Sequence, residues 1–143
     1  MGGGMLLQRG MCGTLQSGIP LVGAAVAEGV GMRPWIGIDL DSCLAHGEGR
    51  DGDPIGDPYP DILALVQQWL GEGREVRIFT ARAGSYEGRF AVMAWLARQG
   101  LPPLRVTNQK DYECALFLDD RARQVKDGQV LGELTLKPPC HRA

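Results

Sequence analysis

Four short apolar runs, each meeting a polar residue at its end, constrain this chain most. They are Trp35–Leu40 (WIGIDL), Glu75–Thr80 (EVRIFT), Leu104–Thr107 and Ala115–Leu118 (ALFL). Runs this short and this apolar suit strands buried on both faces. Helical periods separate them. In Asp61–Leu70, residues Ile62, Leu65, Val66 and Trp69 fall at helical spacing, with Gly71 and Gly73 as the stop. In Tyr86–Arg98, residues Phe90, Met93, Ala94 and Ala97 share one face and are expected to pack, with Gly100 and Pro102 beyond. Strand–helix alternation at these lengths predicts an α/β fold with a parallel sheet flanked by helices. Val130–Leu131 is expected to begin a last edge strand. In such sheets ligands lie beyond the carboxyl ends of the strands.

The rest of the chain frames that domain. With 143 residues there is room for one core and not two. Residues 1–31 are glycine-rich without a sustained period and read as a flexible leader. Met32 opens MRPWIGIDLD, a natural start for the compact part, so Met32 is a candidate for the true translation start. Mass spectrometry of the native protein checks this, and a peptide from residues 1–31 would refute it. The domain is expected over 32–136, followed by a loose tail, 137–143, that holds Pro138 and Pro139. A net charge of −2 provides no general attraction to nucleic acid. Cys12, Cys43, Cys114 and Cys140 make neither a C-x-x-C zinc spacing nor a disulfide framework, which fits reduced thiols in a cytoplasm. No apolar stretch is long enough to span a membrane; the closest, 19–31, is broken by Glu28 and three glycines.

The functional signal is confined to the strand ends: Asp39 and Asp41, Thr80, and Asp119 with Asp120, plus Lys110 on the loop before the fourth strand. Carboxylates that converge repel one another unless a cation compensates. An all-oxygen acidic site suits a hard ion, and Mg²⁺ is the natural candidate, since it favours sites shared with phosphate oxygens. A strand-end threonine hydroxyl can donate to a phosphate oxygen, and a lysine can neutralise one. The set describes phosphoryl transfer, in which positioning and charge compensation do most of the work. One carboxylate can attack phosphorus, and a second, two residues on, can serve as general acid and base.

In their order along the chain these residues resemble the haloacid-dehalogenase (HAD) superfamily. The family's D-x-D after an apolar strand is matched by Asp39-Leu40-Asp41, its strand-ending Thr by Thr80, its Lys by Lys110, and its acidic pair by Asp119-Asp120. The segments VRIFTAR, VTNQKDYE and LFLDDRA further resemble small HAD-like proteins of bacteriophages and prophages, and LDDR resembles the fourth motif of 5′-deoxyribonucleotidases. The resemblance implies a three-layer Rossmann-like sheet with helices on both faces, and a Mg²⁺-dependent phosphohydrolase acting on phosphomonoesters, with nucleotides or nucleic-acid ends as candidate substrates. Asp39 would be nucleophile and metal ligand. Asp41 would be general acid/base, with its main-chain carbonyl on the metal. Thr80 and Lys110 would hold phosphoryl oxygens, and Asp119 and Asp120 would complete the metal site. The segments 42–60 and 81–109 are too short for a folded cap, so the enzyme is expected to be capless, which leaves its site open to a large substrate or to closure by another subunit.

Ser42-Cys43 stands where the family usually has Gly-Thr, and it supports a rival in which a degenerate HAD-like module binds nucleotide or protein without turnover. A two-component receiver domain also uses an aspartyl-phosphate, but there the acidic pair precedes the acceptor. Cys43 as nucleophile has only His46 nearby in sequence. Arg82 and Arg121 read equally well as solvated surface residues and as phosphate ligands. Trp35, Trp69 and Trp95 read as core. His46 and His141 form no constellation, and the glycine-rich start lacks the phosphate-loop pattern.

Overall fold

A computed structural model describes residues 33–47, 49–50 and 52–136. The expected leader and tail lie outside them, as do Cys12, Cys140 and His141. The elements are β1 (Trp35–Ile38), α1 (Pro60–Gly71), β2 (Glu75–Phe79), a 3₁₀ turn (Ala81–Gly84), α2 (Tyr86–Arg98), β3 (Arg105–Thr107), β4 (Cys114–Leu118), β5 (Gln124–Lys126) and β6 (Gln129–Leu131). β1 to β4 form one parallel sheet in the order β3-β2-β1-β4. The α/β expectation holds at this level.

β1 lies inside the sheet and all four of its residues are buried, which is why it reads as an unbroken apolar run. Gly37 is small for a reason: a Cβ there would come within 2.8 Å of the Phe117 ring and 2.9 Å of the Trp35 ring. Ile36, Ile38, Val76 and Ile78 belong to the core, as do all three tryptophans. α1 starts at Pro60, with Asp61 in its first turn, and buries Val66 and Trp69.

The link from β3 to β4 carries no helix. Parallel strands usually need a crossover of a dozen or more residues; here residues 108–113 pass from one edge of the sheet to the other. Asp111 pins this crossing. Its carboxylate accepts from Trp35 Nε1 at 2.6 Å and from Arg77 Nη1 at 3.1 Å, while the Arg77 guanidinium lies 4.4 Å over the Trp35 ring. Hydrogen bonds from the Trp35 indole, then the Glu113 N–H, then Arg77, hold the Asp111 carboxyl below its usual range. With no helix in that link, edge strand β4 stays open enough that Ala115 and Leu116 are exposed.

Two expectations are corrected. α2 packs through Gly88, Val92, Trp95 and Leu96, whereas Phe90 and Met93 are exposed. Val130 and Leu131 do not extend the sheet; they lie in β6, which pairs antiparallel with β5 alone. The signal was present in Asp127-Gly128, whose φ angles of 51° and 76° suit the two-residue hairpin turn that Asp-Gly favours.

Candidate functional site

The carboxyl ends of β1, β2 and β4 meet at one cavity of about 520 Å³. Asp39, Asp41, Thr80, Asp119 and Asp120 all line it, and Gly49, Arg50, Asn108 and Arg121 help to complete it. Pairing of β1 with β4 sets the first contact: the Asp39 N–H donates to the Leu118 carbonyl at 2.9 Å, so the acid after β1 sits beside the pair after β4. Asp39, Asp119 and Asp120, all half-buried, each offer a carboxylate oxygen, and these lie within 4.8 Å of one another. That spread is close to the ~4.2 Å between opposite oxygen ligands of a Mg²⁺ ion.

The crowding of these carboxylates shows at Asp39. Burial first, then the Asp119 charge, then a hydrogen bond and charge from Asp120, push the Asp39 carboxyl up to about 7, against the pull of the Leu40 N–H. The same surroundings settle the thiol. Burial and the charges of Asp39, Asp120 and Asp119 push Cys43 up to about 12, so it stays protonated, and its Sγ–H points at the Leu118 carbonyl. A thiolate is what a cysteine nucleophile requires.

Asp41 is held differently. The turn 42–45 brings Ala45 back beside it, and Gly47 and Gly49 lie against its carboxylate; a Cβ on Gly47, where φ is 153°, would come within 2.8 Å of Oδ1. Ser42 makes this turn with φ at 63°, the left-handed region where glycine is free of strain, and its hydroxyl donates to the Gly47 carbonyl at 2.9 Å. Both oxygens of Asp41 accept from Arg82, from Nε and Nη2 at 2.8 Å each, and Arg82 Nη1 donates to the Asp53 carbonyl at 2.8 Å. Arg82 is 1% exposed, so the surface alternative for it is excluded.

Thr80 follows β2 at 2% exposure, and its hydroxyl oxygen accepts from the Arg82 N–H at 3.2 Å, capping the 3₁₀ turn. Lys110 is exposed on the loop after β3 and does not line the cavity; Asn108 does. Arg121 lies at the cavity and is exposed. Sequence reasoning missed the Arg82 clamp and Asn108. The one available signal was position: each follows a strand end closely. A smaller hollow of about 280 Å³ over Cys43 and Tyr59 shares Ser42 with the main cavity.

Fold and site together define an α/β protein with an acidic, cation-compatible cavity at the carboxyl edge of a parallel sheet. No family model matches the chain, and no curated protein or solved structure matches it. Among the described residues, no helix is long and apolar enough to cross a membrane.

Proposed function

We propose that the chain is a capless, Mg²⁺-dependent phosphohydrolase of the HAD type, a cytoplasmic phosphomonoesterase related to phage proteins, with the three-layer core of that family. The observation that carries this reading is the convergence of Asp39, Asp119 and Asp120 from two strand ends, with Thr80 and Asp41 on the same cavity. Side chains of Asp39, Asp119 and Asp120 would hold Mg²⁺, with the main-chain carbonyl of Asp41; the ion would neutralise phosphoryl oxygens and replace the proton that Asp39 now favours.

The chain's own groups supply the rest. An Asp39 oxygen attacks phosphorus, and the bond to the leaving oxygen breaks. Asp41 gives that oxygen a proton, then takes one from the water that hydrolyses the aspartyl-phosphate, so Asp39 is regenerated and inorganic phosphate leaves. The Arg82 clamp uses one lone pair on each Asp41 oxygen and leaves another for this proton. Thr80 holds a phosphoryl oxygen through its hydroxyl hydrogen, and Lys110 reaches the phosphoryl group only if the loop 108–113 moves. The open cavity and its neighbouring hollow suit a nucleotide or a nucleic-acid end.

The clamp also favours a second reading, a HAD-like module that binds nucleotide or protein without turnover, because Asp41 is tied by a buried ion pair. Release of inorganic phosphate from a broad phosphomonoester panel with Mg²⁺ separates the two. Turnover by wild type that is lost in Asp39→Asn supports the enzyme; equal inactivity of both supports the binding module.

A further inference from the structure

α2 is apolar on two faces, and one of them packs. Gly88, Val92, Trp95 and Leu96 are buried. On the other side Tyr86 is 81% exposed, Phe90 66% and Met93 53%, and Ala97 is exposed as well. The intervals along Tyr86, Phe90, Met93 and Ala97 are four, three and four, the a/d seam of paired helices. At about 100° per residue this seam lies roughly opposite the packed face, so it points away from the domain. Single exposed apolar residues need no partner, but a contiguous stripe along an outward helix does.

We infer that this seam pairs α2 with α2 of a second copy of the chain, antiparallel about a two-fold axis. The flanking charges identify the occupant. Glu87 and Arg98 are both exposed and stand on the same flank of the seam, at opposite ends of the helix. A two-fold axis across the middle of α2 sets Glu87 of each copy beside Arg98 of the other, twice over. Parallel pairing would put this flank of each copy on opposite edges of the seam, so Glu87 and Arg98 would not meet. The antiparallel arrangement also opposes the two helix dipoles favourably. Arg89, on the other flank, is turned back to the Ala83 carbonyl at 2.7 Å and stays clear of the seam. The interface is isologous and closes on itself, so it stops at a dimer. Four side chains per copy bury well under the ~800 Å² per partner of a standard interface, so the dimer is weak and concentration-dependent. This pairing is independent of the chemistry at Asp39.

Sedimentation of the full chain from about 10 µM to about 1 mM, a range that brackets a weak association, tests it. Wild type is expected to show a reversible monomer–dimer equilibrium, and Phe90→Asp to remain monomeric with an unchanged circular dichroism spectrum. Glu87→Lys and Arg98→Glu are each expected to weaken association roughly fivefold, as for two exposed pairs lost per dimer, and the double charge reversal to restore it. Should Phe90→Asp unfold, the charge reversals alone decide the matter. A monomer at every concentration, a dimer indifferent to Phe90→Asp in its folded form, or a double reversal no tighter than the single ones would overturn the inference.

Discussion

Replacing Asp39 with Asn removes one of three negative charges from a cluster whose oxygens lie within 4.8 Å. At an effective dielectric constant of about 20, one such pair repels by roughly 3 kcal/mol, and salt and solvent around these half-buried groups reduce the usable part to on the order of 1–2 kcal/mol. Asn keeps the shape and an acceptor for the Leu40 N–H. In EDTA at pH 8, Asp39→Asn is therefore expected to be more stable than wild type, by roughly 5 °C or more in a domain of this size. The pH dependence has a definite sign. The Asp39 carboxyl rises from 3.8 to about 7 on folding. The folded state thus binds the proton more tightly, and the associated stability is complete below about 3.8 and lost as pH rises through about 7. The advantage of the variant over wild type should accordingly be small near pH 5 and grow towards pH 8. Mg²⁺ acts oppositely: at a hundred times its dissociation constant it would add about 2.7 kcal/mol to wild type, and much less to a site lacking Asp39. Thermal unfolding of both proteins at pH 5 and 8, with EDTA or with Mg²⁺, reads all four corners. If Asp39→Asn were no more stable than wild type in EDTA at pH 8, or if Mg²⁺ raised both equally, the account of a crowded, cation-seeking cluster would fail.

Arg82→Met would leave Asp41, only 9% exposed, without its bidentate partner, and should cost about 3–5 kcal/mol in urea unfolding; a loss below about 1 kcal/mol would show that the clamp carries little, given the usual cost of an orphaned buried charge. Trp35→Phe removes a short hydrogen bond to Asp111 and should destabilise more than Trp69→Phe, because Trp69 Nε1 is buried with no hydrogen-bond partner; equal losses in urea would contradict the pinned crossing. Cys43, its thiol pushed up to about 12, should alkylate with iodoacetamide at pH 8 far more slowly than in urea, as read by peptide mass mapping; equal rates would mean that the thiol is not held neutral.

Local pattern carried much of this protein. The strands of the sheet lie where apolar runs close on Asp39, Thr80, Thr107 and Asp119; β1, buried on both faces, is apolar throughout and turns polar only where it leaves the sheet. α1 was legible because one of its faces is apolar and that face packs through Val66 and Trp69. Even the β5–β6 hairpin had its sign in Asp127-Gly128, although its separation from the main sheet did not.

Contacts distant in sequence decided the rest. Two faces of α2 are apolar, and periodicity cannot choose between them; Trp95, whose Nε1 donates to the Gly56 carbonyl at 2.8 Å, is on the face that packs. A lone arginine after a strand is usually solvated, yet Arg82 is buried because Asp41, forty-one residues earlier, presents both carboxylate oxygens to its fork. Lys110 stands off the cavity because the crossing from β3 to β4 is tied down at Asp111, the next residue. Residue order marked Asp39 as the centre of a carboxylate cluster. The pairing of β1 with β4 made that cluster physical, since only their adjacency brings Asp119 and Asp120 close enough to raise its affinity for a proton.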